Sequence, residues 1–224
     1  MFYKFEKDYA NTGTHCKPTD MRIFAIGRNY AEHIKELNNE RPDEPVIFTK
    51  PDTALIRENG PFYYPDFSKD IHYETELVLR ICKEGKNIQE KFAGKYYDSI
   101  GIGIDFTARD LQQKAKEKGL PWDIAKGFNG SAPISDKFIP VSEFKELNNI
   151  NFSLKVDGEL KQQGNTGLML FNFDVIVAYL SRFFTLRTGD LIFTGTPKGV
   201  GPIKVGNVLS AYIENEKLLE FEVK

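Results

Sequence analysis

Residues 71–81, IHYETELVLRI, read as a β-strand carrying two acids where a core strand has none. Strand side chains alternate between faces, so Tyr73, Thr75, Leu77, Leu79 and Ile81 point one way and His72, Glu74 and Glu76 the other. Two carboxylates so close on one face repel each other, and burying them requires a cation or a shared proton. Residues 99–105, SIGIGID, read as a second strand ending in Asp105, with Ser99, Gly101 and Gly103 on its face. Those small residues leave room beside the acid for a ligand or for another stretch of backbone. An all-carboxylate oxygen set suits a hard divalent cation such as Mg²⁺, Mn²⁺ or Ca²⁺ better than zinc. The competing reading is a solvated Glu-x-Glu face, with Asp105 marking a helix entry.

Outward from these strands the chain is a run of short elements. Residues 21–30 predict a strand running into a loop, and 30–39 a short helix ending at Asn38-Asn39. The segment 107–119, TARDLQQKAKEKG, predicts a helix with Thr107 and Asp110 at its N-terminal cap and Gly119 as its stop. Asp157-Gly158 predicts a hairpin turn, 173–184 an apolar helix, and 208–224 a closing hairpin. Many short strands joined by Gly and Pro turns predict an α+β mixed-β body with peripheral helices.

With 30 basic and 32 acidic residues and no basic stripe, the chain offers nothing to nucleic acid or an anionic membrane. No apolar run is long enough to span a bilayer, and the first residues carry no signal-peptide pattern. Cys16 and Cys82, without CxxC spacing, fit reduced thiols of a cytoplasmic protein; a Cys16–Cys82 disulfide is the alternative.

Four further groups carry chemistry. His33 and Glu36, three apart on a helix, share a face, and a carboxylate bonded to an imidazole raises its basicity enough to activate water. The alternative is a solvated face with Glu32 and Lys35. Arg109 and Gln112 are likewise three apart, placed to grip a substrate carboxylate or, alternatively, paired with Asp105 or Asp110. Lys126 and Lys50 sit in Gly- and Pro-bounded segments, either reaching a site or solvated. The loop 195–202, GTPKGVGP, lacks the P-loop pattern and opens no helix, but its backbone N–H groups suit a carboxylate.

Taken in order, GRNYAEH (27–33), FTKP (48–51), YETELVLRI (73–81), GIDFTARDLQ (103–112), AKGFNGSAP (125–133), DGELKQQGNT (157–166) and LIFTGTPKGVG (191–201) resemble the fumarylacetoacetate hydrolase family, nearest its acylpyruvase and oxaloacetate decarboxylase branch. The resemblance covers residues 22–224 as one catalytic domain and leaves 1–21 as an extension without a role. It implies a mixed β-sandwich roll and a homodimer. It implies Mg²⁺ or Mn²⁺, or else Ca²⁺, held by Glu74, Glu76 and Asp105. Arg28, Arg109, Gln112, Lys126 and Thr196 would surround a metal-bound 2-oxo acid, with Lys126 serving the enolate. His33 and Glu36 would ride a lid helix and activate water. The activity it implies first is hydrolysis of an acylpyruvate to pyruvate and a carboxylic acid. Oxaloacetate decarboxylation or 2-hydroxyhepta-2,4-diene-1,7-dioate isomerisation/decarboxylation is second. A non-catalytic ligand-binding protein on the same fold is the remoter reading.

Overall fold

The period-two pattern of residues 71–81 folds as expected, with one interruption that matters for the site. In the computed structural model, which describes residues 21–37 and 40–224, the elements follow in short succession. They begin with β1 (Ile23–Gly27), α1 (Ala31–Glu36), β2 (Val46–Lys50), β3 (Leu55–Ile56), β4 (Ile71–Tyr73), β5 (Thr75–Ile81), α2 (Glu90–Ala93) and β6 (Tyr97–Ile104). Then come β7 (Thr107–Ala108), α3 (Arg109–Lys118), α4 (Asp123–Lys126), β8 (Ala132–Pro133), β9 (Ile139–Pro140), β10 (Asn151–Val156) and β11 (Glu159–Asn165). The chain closes with α5 (Phe173–Phe183), β12 (Leu191–Phe193), β13 (Gly201–Pro202), β14 (Val208–Ile213) and β15 (Glu216–Glu222). Residues 1–20, with Cys16, and the expected helix stop at Asn38-Asn39 lie outside the described residues.

A six-stranded sheet, in the order β2-β1-β12-β5-β6-β9, is antiparallel except where β1 runs parallel to β12. An antiparallel four-stranded sheet, β11-β10-β14-β15, faces it, giving the expected sandwich. Leu77, Leu79, Ile81, Ile100, Ile102 and Ile104 meet Phe152, Leu154, Leu209 and Phe221 between the layers. Burying such a side chain stabilises by roughly 1.5–3 kcal/mol, so this face anchors β5 and β6. The opposite face has a smaller core of Ile23, Ala25, Val78, Ala132, Leu191 and Phe193. Glu76 shares that second face with Val78, two residues on. The acids are therefore carried by a strand whose stability comes from its other side.

Gly101 and Gly103 hold open a space, and protein fills it. A Cβ on Gly103 would lie 2.7 Å from the Phe193 ring and 3.0 Å from the Pro133 carbonyl; one on Gly101 would lie 2.8 Å from Phe138. The room beside Asp105 thus admits rings and backbone. Asp157-Gly158 makes the expected turn between β10 and β11, with φ of 51° and 81°. Thr107 corrects the sequence reading: α3 begins at Arg109 with no side-chain cap, and Thr107 belongs to β7.

Asn29 fixes the chain between β1 and α1. Fully buried, its Nδ2 donates to the carbonyls of Thr194 (2.8 Å) and Phe171 (3.0 Å), and its Oδ1 accepts from the Phe171 N–H (2.8 Å). Tyr30 and Ile34 are buried as well. Asn29 and Tyr30 are core, and the exposed part of α1 starts at Ala31. Asn29→Ala should lower unfolding free energy by about 3 kcal/mol, because it strands one buried and two part-buried backbone groups. Denaturant titration checks this; a loss below about 1 kcal/mol contradicts the anchoring role.

Candidate active site

Glu74 sits at the break between β4 and β5, where the chain leaves a small sheet (β13-β4-β7) for the six-stranded one. Its carbonyl accepts the Asp105 N–H at 2.8 Å, and Glu76 pairs with Gly103 in the β5–β6 register. Three buried carboxylates, Glu74, Glu76 and Asp105, are thereby brought together, each offering an oxygen within 4.8 Å of the others. The solvated reading of the Glu-x-Glu strand is excluded.

Cations from three other segments converge on these acids. Lys126 Nζ, at the end of α4, lies 2.8 Å from Glu74 Oε2, 2.5 Å from Asp105 Oδ2 and 2.6 Å from Thr107 Oγ1. Lys50 Nζ, at the end of β2, lies 2.7 Å from Asp105 Oδ1, off the hydrogen-bonding direction. It donates to the Lys126 carbonyl and, at 3.1 Å, to the carbonyl and hydroxyl of Ser131. Arg109 leads α3; one terminal nitrogen bonds Glu74 Oε1 at 2.6 Å and the other bonds Gln112 Oε1 at 2.7 Å. The alternative partners for Arg109, Asp105 and Asp110, are not used.

The protonation balance follows. Burial alone would raise Glu74, but the charges of Lys126 and Arg109 overcome it and hold the carboxyl well below its usual range. Glu76 lacks such a partner: burial, then the charges of Asp105 and Glu74, push it well above 4.5, against one hydrogen bond from the Gly195 N–H at 2.7 Å. Burial opposes the Lys126 charge, yet Asp105 and Glu74 outweigh it and raise the ammonium. Lys50 moves the other way, lowered by burial and by Lys126 against the pull of Asp105.

The residues fit a hard divalent cation. All donors are carboxylate oxygens, they are buried together, and the surroundings of Glu76 disfavour its ionised form, which a cation would favour. The glycine loop spends backbone N–H groups on carboxylates of the protein itself. Gly195, at φ +101°, brings its backbone so near that a Cβ would meet Asn29 at 2.6 Å, and its N–H binds Glu76.

His33 and Glu36 form the expected pair, Nδ1 to Oε2 at 3.2 Å, with His33 buried. Glu36 also accepts the Gly199 N–H at 3.0 Å, and Glu32 meets Lys198 at 2.7 Å, so α1 lies on the 195–202 loop. The His33 ring is near enough to Glu74 to act on its carboxyl, so the pair lies on the side of the acids. The Thr196 hydroxyl donates to the Thr75 carbonyl and accepts from Gln162, both at 2.9 Å. These two bonds fix the hydroxyl in place between β5 and β11. Arg28 follows β1 with φ 59°, and its Nε is buried without a hydrogen-bond partner. Sequence reasoning missed Thr107, read as a cap, and left Lys50 undecided; nothing local distinguishes a buried lysine from a solvated one.

Residues 22–224 match the family described as fumarylacetoacetate hydrolase, C-terminal. A mitochondrial oxaloacetate decarboxylase of Dictyostelium discoideum is 46% identical over 196 residues, covering 87% of this chain and 89% of that protein. A mitochondrial oxaloacetate tautomerase of Homo sapiens is 40% identical over 202 residues, 90% of this chain and 91% of that protein. The crystal structure of fumarylpyruvate hydrolase from Pseudomonas aeruginosa, in complex with Mn²⁺ and pyruvate, has a TM-score of 0.85 at 38% identity, covering 90% and 88% of the two chains. Among the described residues no helix is long and apolar enough to cross a membrane.

The raised Glu76 gives a test independent of turnover. The folded chain keeps a proton that the unfolded chain releases near 4.5, so this stabilisation is complete below that pH and is lost as pH rises through the raised value. Glu76→Gln stays neutral and still accepts from Gly195. After EDTA treatment wild type should lose melting temperature relative to Glu76→Gln as pH rises, and the variant should lose the increase that Mn²⁺ gives wild type. A difference between the two that does not change with pH contradicts the charge assignment.

Proposed function

This chain belongs to the fumarylacetoacetate hydrolase family, and from that premise we propose that it is a divalent-metal enzyme forming and directing the enolate of a 2-oxo acid, with oxaloacetate as its substrate for tautomerisation and decarboxylation. The observation that carries this reading is the buried Glu74–Glu76–Asp105 cluster with the Lys126 ammonium against it. The relatives named for oxaloacetate chemistry support the substrate. Held by the three carboxylates, Mg²⁺ or Mn²⁺ supplies the positive charge that favours a developing enolate oxygen.

The side chains divide the remaining work. Arg109, braced by Glu74 and Gln112, offers its guanidinium to the substrate carboxylate. Lys126, kept protonated by its two acids, gives a proton to the substrate carbon when carbon dioxide leaves and takes it back from solvent. His33, with Nδ1 turned to Glu36, has Nε2 left to accept a proton. In tautomerisation that proton comes from the carbon between keto group and distal carboxylate.

Hydrolysis of an acylpyruvate is the second reading, supported by the same dyad and by the likeness to fumarylpyruvate hydrolase. There His33 would take its proton from water as the oxygen attacks the distal carbonyl. The carbon–carbon bond then breaks, and pyruvate leaves as its enolate.

Purified protein should act on oxaloacetate with Mg²⁺ and stop with EDTA; absence of metal-dependent turnover of oxaloacetate overturns the first reading, and metal-dependent release of pyruvate from acetylpyruvate or fumarylpyruvate then favours the second. His33→Ala and Glu36→Gln should lower tautomerisation, and any acylpyruvate cleavage, by about 10²-fold or more, since both need a base. Decarboxylation needs an electron sink and a proton donor, so it should fall far less. A parallel fall in all reactions at saturating Mg²⁺ means that the dyad positions α1 and is not the base.

A further inference from the structure

One buried amide holds the strand break from the opposite sheet. In a strand the N–H and C=O of one residue point to the same side, and those of the next residue to the other. Glu74 and Glu76 turn theirs to β6: the Glu74 carbonyl accepts the Asp105 N–H, and Glu76 pairs with Gly103. Thr75, between them, faces the side of β12. There the backbone ladder has ended. Strand β12 pairs with Arg80, Leu79 and Val78, and the bond that follows runs from the Thr194 N–H to the Leu77 carbonyl at 3.1 Å. Side chains take its place at Thr75. Gln162 Oε1 accepts the Thr75 N–H at 2.9 Å, and the Thr196 hydroxyl donates to the Thr75 carbonyl at 2.9 Å. Gln162 Nε2 donates to that hydroxyl at 2.9 Å and to the Pro197 carbonyl at 3.0 Å. Both peptide groups between Glu74 and Glu76 are therefore bonded to Gln162, one directly and one through Thr196.

Strand β11 is shaped to deliver this amide. In its register with β10, Leu154 stands opposite Gln162 and Lys155 opposite Leu160, so Lys161 bulges between them and the side chains around it are re-aimed. The strand exposes Leu160 and buries Gln162, the reverse of what hydrophobicity alone selects. The amide oxygen and both amide hydrogens of Gln162 are used, which makes its burial tolerable. Anchoring the 195–202 loop needs only the bonds to Thr196 and Pro197. The bond to the Thr75 N–H goes to the strand that carries the acids.

We propose that Gln162 is a positioning residue for the cation site: it fixes the two peptides between Glu74 and Glu76, keeps both carboxylates aimed at Asp105, and so sets how tightly the site holds a divalent cation. Like charges push Glu74 and Glu76 apart, and peptides without partners would let them separate. This rests on the function proposed above only in placing a divalent cation at the three acids. Gln162 acts through Thr75 and takes no part in bond making.

The test is Mn²⁺ binding, measured by calorimetry on the full chain stripped of metal. Gln162→Met keeps the length of the side chain and removes its hydrogen bonds. It should weaken Mn²⁺ about tenfold to a hundredfold, as for loss of a partner that orients metal ligands. Leu154→Ala is the control. Leu154 is buried directly across from Gln162, so its truncation should lower the melting temperature and leave Mn²⁺ affinity within about twofold. The paramagnetic resonance spectrum of bound Mn²⁺, which reports ligand geometry, should change in Gln162→Met and hold in Leu154→Ala. Thr196→Val should also weaken Mn²⁺, and the double variant should lose less than the two single losses combined, because both act on the same peptides. Unchanged Mn²⁺ affinity in Gln162→Met, or an equal loss in Leu154→Ala, overturns the positioning role. Should Gln162→Met fail to fold, Gln162→Asn, one methylene short of Thr75, reads the same contrast. If the binding contrast holds but wild type turns over no 2-oxo acid, the positioning role stands and the proposed function falls. If turnover is present and the contrast is absent, the reverse holds.

Discussion

Three carboxylates buried within one hydrogen-bonded cluster are the constraint around which the rest is arranged. Two like charges 4 Å apart repel by roughly 4 kcal/mol at an effective dielectric of 20. Folding therefore has to deliver cations to the same place, and it draws them from β2, α3 and α4, which are distant in sequence. Arg109 and Lys126 settle Glu74, and Lys50 and Lys126 settle Asp105. Glu76 has only the Gly195 N–H and stays the most repelled. An ion entering beside these acids adds two positive charges to a balanced set, and the site then attracts a small organic anion.

The strand break at Glu74 makes this compatible with a sandwich. An unbroken β4–β5 strand would have to pair with a single sheet throughout. Interrupted, its first part pairs with β7 and β13 and its second with β6 and β12. Glu74 can then turn toward α3 and α4 while Leu77, Leu79 and Ile81 remain locked in the large core. Gly101 and Gly103 complete the arrangement by letting Phe138 and Phe193 press against β6. The acid-bearing face is thus rigid without having to supply most of the apolar burial.

Much of this was legible in the chain because it is written in local periodicity. The alternation of residues 71–81 and the small residues before Asp105 placed the acids together. Asp157-Gly158 and the apolar run at 173–184 placed a hairpin and a helix where they stand. What stayed hidden depends on distant partners. Thr107 has the composition of a helix cap, and only the arrival of Lys126 makes it part of the site. Lys50 reads as a strand-end lysine until Asp105 and Ser131 enclose it. Asn29 reads as a loop residue until Thr194 and Phe171 take up its amide.

The position of His33 rests on the same kind of distant partnership. A helix of six residues is too short to persist on its own. Contacts along its length hold α1: Asn29 and Tyr30 at its root, the buried Ile34, the Glu32 pair with Lys198, and the Glu36 carboxylate on the Gly199 N–H. Glu36 therefore orients His33 through Nδ1 and docks the helix through Gly199 with one carboxylate. The imidazole has its oriented form and its place beside Glu74 through the same residue. Orientation without docking would leave His33 polarised but remote, since three-apart neighbours travel together on a helix. Docking is what brings the imidazole near the buried acids, and it depends on the loop whose other N–H, at Gly195, holds Glu76. One glycine-rich loop thus ties the imidazole and the carboxylate cluster to a common frame.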